Sequence, residues 1–267
     1  MFMPLPLYIP FCTGSEDIQL GKNESLLDTA RVLSRYNDVI LARVYAHAHI
    51  EELCKHATVP VINALSDTHH PLQGLADIMT IEQHFPKTGV EGLTIAWVGD
   101  GNNILNTFLS AAPLAGFNVR YATPPTPYEP PVEVVERARK AAAAAGVSIV
   151  ATHDPLEAVK GADVIVTDTW VSMGQEEEAA KRLKDFKGYQ VTEAMAARGG
   201  AKPHWKFLHC LPRKPQEVDD EVFYNPKRSL VWDEAENRKW TVMATALAQI
   251  IGGADVPLCR TGPTVGR

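Results

Sequence analysis

Six short polar clusters in this chain carry residue types suited to chemistry on small charged molecules. His70 and Gln73 flank Pro71 in the run HPLQ, which sets a ring nitrogen and a side-chain amide at a helix start. The positive end of a helix stabilises an anion or a polarised carbonyl by about 0.3–1 kcal/mol. A His in that place can equally be a capping or surface residue. Asp168 closes the apolar run DVIVTD, and Ser172, Met173 and Gly174 form a short loop just after it. A carboxylate at a strand end can bind an ammonium group or cap the loop. Cys210 stands in FLHCLPRKP, where Arg213 and Lys214 are near enough in sequence to lower a thiol from its ordinary value of about 8.5. The competing reading is a buried structural cysteine. His209 should face the other side of the strand, so a papain-like pair is unsupported.

Arg43 lies within VILARVY, and an arginine among buried aliphatics needs an anion, either a structural carboxylate or a bound phosphate. Gly99, Asp100, Gly101, Asn102 and Asn103 end another apolar run. The third glycine of a G-x-G-x-x-G fingerprint is replaced by Ile104, and Ala122 and Thr123 stand where an acidic residue would end the next strand. That disfavours a nicotinamide dinucleotide. The two asparagines either contact a small polar ligand or cap a helix. In AENRKW, Arg238 and Lys239 are expected in the first turn of a helix, where cations oppose the dipole and call for an anion nearby.

The elements that must hold these clusters alternate between strand-like and helix-like, the pattern of a parallel α/β sheet. Helices are predicted from Glu24 to Tyr36, Ala48 to His56, Pro71 to Phe85, Val132 to Ala145, Pro155 to Lys160 and Gln175 to Lys187. Strands are predicted at DVILARVY, Val59 to Leu65, LTIAWV, FNVRYAT, SIVATHD, DVIVTDTW and FLHCLP. Asp233 and Glu236 resemble a capping box for an apolar helix, Trp240 to Ile251, that should be buried. Pro86 to Gly92 reads as a domain junction. Every polar cluster then falls at the carboxyl end of a strand, where ligands of open parallel sheets bind.

At 267 residues, with 45% hydrophobic and 22% charged residues, the chain has the balance of an ordinary soluble globular protein. A net charge of -6 argues against nucleic acid, and no apolar run nears the roughly 20 residues that span a bilayer. Cys12, Cys54, Cys210 and Cys259 include no CxxC pair, which indicates a reducing, intracellular compartment. The opening MFMPLPLYIPF has three prolines and no basic residue before Lys22, so it fits neither a signal nor a transit peptide and is expected to be an atypical start.

Taken in order, LGKNESLLDTARVLSRY, VILARVY, HPLQ with LAD, WVGDGNN, TDTWVSMGQEEE, GYQVT, FLHCLPRKP, EVDDEVF and AENRKW resemble the ornithine carbamoyltransferases, over about residues 16–251. SMG and HCLP separate these from the aspartate enzymes, which share HPxQ. The resemblance implies two Rossmann-like parallel-sheet domains, the first incomplete, with a C-terminal helix returning to the first. The expected division is 1–86 for carbamoyl phosphate, 87–235 for ornithine and 236–252 for the returning helix. It implies carbamoyl transfer to the δ-amine of L-ornithine, in a homotrimer, without metal or organic cofactor. Arg43, His70, Gln73, Cys210, Leu211 and Arg238 are implied to hold carbamoyl phosphate, and Asn103, Asp168, Ser172 and Met173 to hold ornithine. Cys210 and Asp168 should flank the reacting amine, and Arg43 with His70 the carbonyl oxygen. The compartment would be the mitochondrial matrix in a eukaryote and the cytoplasm otherwise. The family's Ser-x-Arg-Thr-Arg turn has no counterpart here, since the first arginine is Arg31. Weak or absent carbamoyl-phosphate binding, or an impaired relative that retains ornithine or a partner, is the competing expectation.

Overall fold

Ser25 starts the first helix: its Oγ accepts a hydrogen bond from the Asp28 amide at 3.1 Å and caps α1 (Leu26–Tyr36). The computed structural model describes residues 24–85, 92–172 and 175–251, with backbone only at Glu176. Met173, Gly174, Cys12, Cys259 and most of the expected junction after Phe85 lie outside the described residues. Strand β1 (Ile40–Arg43), helix α2 (His47–His56) and strand β2 (Val61–Leu65) follow, and the strands pair in parallel with Ile40 opposite Val61. Pro71 then opens α3 (Pro71–His84), its missing N–H falling where a helix has no use for one.

The second sheet begins with β3 (Thr94–Val98), α4 (Asn103–Ala111), β4 (Asn118–Ala122), α5 (Val132–Ala145), β5 (Ile149–Thr152), α6 (Pro155–Ala158) and β6 (Val164–Val166). It is completed by a 3-10 turn at Glu176–Glu178, α7 (Ala179–Asp185), α8 (Glu193–Gly199), β7 (Lys206–Leu208), α9 (Asp220–Phe223) and α10 (Val231–Ile251). The strand order is β5-β4-β3-β6-β7, all parallel. From β3 the chain winds out to β5, then returns to β6 on the other side. The order therefore reverses between β3 and β6, and the segments after β3, β6 and β7 meet at that crevice. Both faces are covered, by Trp97, Phe108 and Phe117 on one side and Phe186, Trp205 and Phe207 on the other. This explains why Val164, Ile165 and Val166 form an unbroken apolar run.

Four expectations need correction. Arg43 is exposed, because the outer face of β1 is half bare and Leu41 beside it is 49% exposed. The last strand ends at Leu208, so His209 and Cys210 belong to the turn beyond it. Helix α10 begins at Val231, since Leu230 still donates to the Phe207 carbonyl and the Glu234 amide already bonds back to Leu230. Asp233 thus lies inside the helix, where it faces His84 at 3.1 Å, and Arg238 sits two turns in. Nor is the apolar end of α10 buried: Trp240, Met243, Leu247 and Ile251 are exposed. It is the polar edge that docks on α3, with Asn237 donating to Thr80 at 2.9 Å and Thr241 to the Leu72 carbonyl at 3.1 Å. Helices α8 and α9 were not expected. Their signals were the caps Thr192 and Asp219 and the left-handed Gly200.

Candidate active site

Asp168, buried at the end of β6, is the centre of one wall of the crevice. Its Oδ1 accepts from Cys210 Sγ at 3.1 Å, and its Oδ2 accepts from Asn102 Nδ2 at 2.7 Å. Asn102 is fixed in turn, because its Oδ1 accepts from the amides of Ile104 and Leu105 at the start of α4. The turn before it requires glycine: a Cβ on Gly101 would lie 2.5 Å from the Tyr128 carbonyl oxygen. Burial pushes the Cys210 thiol well above its ordinary value, and the carboxyls of Asp168, Glu234 and Asp77 act in the same direction. The expected lowering by Arg213 and Lys214 is therefore overturned. The chain turns at Leu211, sending Arg213 to the Val218 carbonyl and Asp220, above the Phe223 ring, while Lys214 reaches the Val171 carbonyl.

The facing wall is built by α3 and α10. Arg238 Nη1 donates to Gln73 Oε1 at 3.0 Å and lies 3.2 Å from His70 Nε2, and Nη2 donates to the Ala64 carbonyl at 3.3 Å. His70 is buried, its amide bonded to Thr107 Oγ1 at 2.8 Å. Burial, then Arg238, then Arg43 lower its pKa to about 3, so the imidazole is neutral at pH 7. Gln73 Nε2 donates to Asp77 Oδ1 at 2.8 Å and Glu234 Oε1 at 3.0 Å.

The turn after β7 joins the two walls. The His209 amide donates to Glu234 Oε2 at 2.9 Å, and its buried ring pairs with Glu217 at 3.1 Å. Ring Nδ1 accepts from the Leu211 amide at 3.0 Å, holding Leu211 at a φ of 62°. A left-handed leucine costs of order 1–3 kcal/mol and persists only where its surroundings impose it.

Of the sequence-derived candidates, Asp168 and Cys210 are in contact, as are His70, Gln73 and Arg238. Leu211 adjoins the first set. Asn103 donates to the Ser66 carbonyl at 2.7 Å, linking the sheets, while its neighbour Asn102 is the one that reaches Asp168. Ser172 is half-buried, its amide tied to Gln175 Oε1 at 3.1 Å. Arg43 forms no hydrogen bond or ion pair among the described residues. Sequence reasoning named Asn102 and Asn103 together without saying which would reach Asp168, and it missed Asp77, Glu234 and Glu217. Asp77 and Glu234 had a readable signal, each lying four residues along its helix from Gln73 or Arg238. Among the described residues no group of three or more His, Cys, Asp or Glu side chains could hold a metal ion.

Two family models match the chain: residues 91–248 fit the aspartate/ornithine carbamoyltransferase Asp/Orn binding domain, and residues 8–83 the carbamoyl-P binding domain. A mitochondrial ornithine transcarbamylase of Gallus gallus is 54% identical over 233 residues, which is 87% of this chain and 64% of that protein. A mitochondrial ornithine carbamoyltransferase of Aspergillus niger is also 54% identical, over 88% of this chain and 66% of the relative. The chain thus spans about two thirds of the length of these relatives. The solved ornithine carbamoyltransferase of Pyrococcus furiosus superposes with a TM-score of 0.82 at 48% identity, covering 90% of this chain and 74% of that one. A mitochondrial one from Coccidioides immitis gives 0.81 at 49%, with the same coverage of each chain.

Proposed function

The chain belongs to the aspartate/ornithine carbamoyltransferase family, and from that premise we propose that it transfers a carbamoyl group from carbamoyl phosphate to the δ-amine of L-ornithine, giving L-citrulline and phosphate. The observation that carries this reading is the placement of Asp168 and Cys210 on one wall, opposite His70, Gln73 and Arg238 on the other.

The amine nitrogen attacks the carbonyl carbon, and the bond from that carbon to the bridging phosphate oxygen breaks. Charge develops on the carbonyl oxygen, where a neutral His70 and the cationic Arg238 are the available donors. Arg43, exposed and unpaired among the described residues, is assigned to the phosphate. Gln73 and the backbone near Cys210 and Leu211 are assigned to the carbamoyl amide. Asn103, Asp168, Ser172 and Met173 are assigned to ornithine.

Supplying a neutral amine near pH 7, from a lysine-like pKa of about 10.4, costs roughly 4–5 kcal/mol. Cys210 does not take that proton, since its own environment opposes ionisation. Asp168 instead accepts a hydrogen bond from the amine and orients its lone pair; the ammonium gives its first proton to solvent before attack, and the second, released as the C–N bond forms, leaves with the phosphate. Most of the acceleration then comes from holding two substrates in a dry crevice. The chain is proposed to work as a homotrimer and, in a eukaryotic source, in the mitochondrial matrix.

The test is citrulline formation by the pure chain, with Asp168→Asn as the control for contaminating enzyme. Saturation in both substrates is expected, with a loss of at least about 100-fold in the variant. Activity that survives Asp168→Asn within about threefold would overturn the assignment.

A further inference from the structure

Two buried carboxyls stand directly behind Gln73 and have no part in the reaction as proposed. Asp77 comes from α3 and Glu234 from α10, and both side chains are 1% exposed. Gln73 Nε2 donates to Asp77 Oδ1 at 2.8 Å and to Glu234 Oε1 at 3.0 Å, while Glu234 Oε2 accepts the His209 amide at 2.9 Å. Asp77 Oδ2 is buried and receives no N–H among the described residues. Because Asp77 Oδ1 and Glu234 Oε1 both lie within 3.0 Å of the same Gln73 nitrogen, the two carboxyls stand side by side. Two ionised carboxylates held so close and out of water repel strongly, which favours one proton shared between them. Burial raises both groups, and Asp168 favours the proton too, while Arg238 opposes it at Asp77. Cys210, which both carboxyls push upward, is itself held in its neutral form. With one proton the pair carries a single negative charge, which the single positive charge of Arg238 balances.

Both hydrogens of the Gln73 amide are taken by the pair. Only its oxygen is left for the crevice, and there it meets Arg238 at 3.0 Å. We propose that Asp77 and Glu234 share one proton and act as positioning residues, fixing the Gln73 carboxamide with its oxygen toward the carbamoyl N–H donors. The identity of that partner rests on the function proposed above. Glu234 accepts two N–H groups and Asp77 only one, so the proton belongs on Asp77 and points to Glu234.

Three measurements on the full chain test this. Infrared spectra at pH 7 are expected to show a protonated-carboxyl C=O band that shifts in D2O and disappears in Asp77→Asn. A folded wild type without the band, or a band untouched by Asp77→Asn, overturns the shared proton. NMR reads the orientation through the Gln73 side-chain amide, identified by its loss in Gln73→Met. Protection from exchange is expected in the wild type and in Asp77→Asn, whose new amide can offer oxygen to Gln73 and N–H to Glu234. Protection should be lost in Glu234→Gln, which must turn an NH2 against Gln73 or His209. Equal protection in the two variants overturns the orientation.

In the citrulline assay, Glu234→Gln should raise KM for carbamoyl phosphate at least about tenfold, against about threefold or less for Asp77→Asn, with KM for ornithine changed less than about twofold. An equal fall in kcat alone in both variants overturns the positioning role. A wild type without citrulline synthesis would sink the proposed reaction, while the infrared and NMR results would still decide the proton and the amide.

Discussion

The wall formed by the five-stranded sheet and the wall that rises from β1 and β2 differ in how much of their surface is satisfied. On the first, Ile165, Phe207 and Leu208 are fully buried, and each oxygen of Asp168 has its own donor. On the second, Leu41 is 49% exposed, Tyr36 and Tyr45 are exposed, and Arg43 has no partner among the described residues. The well-fixed part of that second wall is not its strands. It is His70 and Gln73, held from α10 and the turn after β7 through Arg238, Glu234 and His209. The side chains assigned to the carbamoyl group are thus preorganised, whereas the cation assigned to the phosphate must still be ordered by its ligand. Ordering an arginine side chain costs up to about 2 kcal/mol.

The largest effect that would sharpen this contrast is on stability. Phe207→Ala is expected to cost about 3–5 kcal/mol in urea unfolding, and Leu41→Ala no more than about 0.5 kcal/mol. Comparable costs for the two would erase the contrast between the walls.

His70 provides the next. Its folded pKa of about 3 lies below the unfolded value of about 6.5, so the unfolded chain binds the proton first as pH falls. Stability from this group is complete above pH 6.5 and declines through the window below it, by about 1.4 kcal/mol per pH unit. Between pH 7 and pH 4 the wild type should lose about 3 kcal/mol more than His70→Gln. Parallel losses would show that the imidazole is not held neutral.

A smaller effect is expected at the looser wall. Arg43→Met should raise KM for carbamoyl phosphate about tenfold, or about 1.4 kcal/mol, with KM for ornithine changed less than about twofold. Equal rises for both substrates would move Arg43 away from the phosphate.

Much of the five-stranded sheet was legible because fully buried parallel strands spell themselves as apolar runs, as Val164 to Val166 does, with polar clusters at their ends. The bounds of α5 were readable because Pro131 and Gly146 punctuate it. What failed depended on tertiary context. Arg43 looked buried because its neighbours in sequence are aliphatic, but no covering layer packs on that face of β1 among the described residues. Arg213 and Lys214 looked close to Cys210 because three or four residues separate them, but a turn at Leu211 carries them away. Asn102 and Asn103 are alike in type, and only the geometry of the turn decides which reaches Asp168. Asp77 and Glu234 were passed over because a carboxyl on a helix is usually solvated. Their spacing from Gln73 and Arg238 had placed them on the same faces.

Cys210 is where the smallest effect carries the sharpest distinction. Its Sγ donates to Asp168, and burial with three nearby carboxyls holds it protonated. As a neutral hydrogen-bond donor it is replaceable by a serine hydroxyl, which can make the same contact to Asp168. Cys210→Ser is therefore expected to lower kcat by less than about tenfold and to leave the alkaline side of the pH–rate profile in place. If a thiolate took the proton from the amine, the variant would lose at least about 100-fold and the profile would shift, because a serine hydroxyl does not ionise in that range. Alkylation gives the same contrast without turnover. At pH 7 Cys210 should react more slowly with iodoacetamide than a free thiol, with a rate still climbing past pH 9. A plateau below pH 8 would show that the crevice favours the thiolate, and the tighter wall would then hold an active base rather than a poised donor.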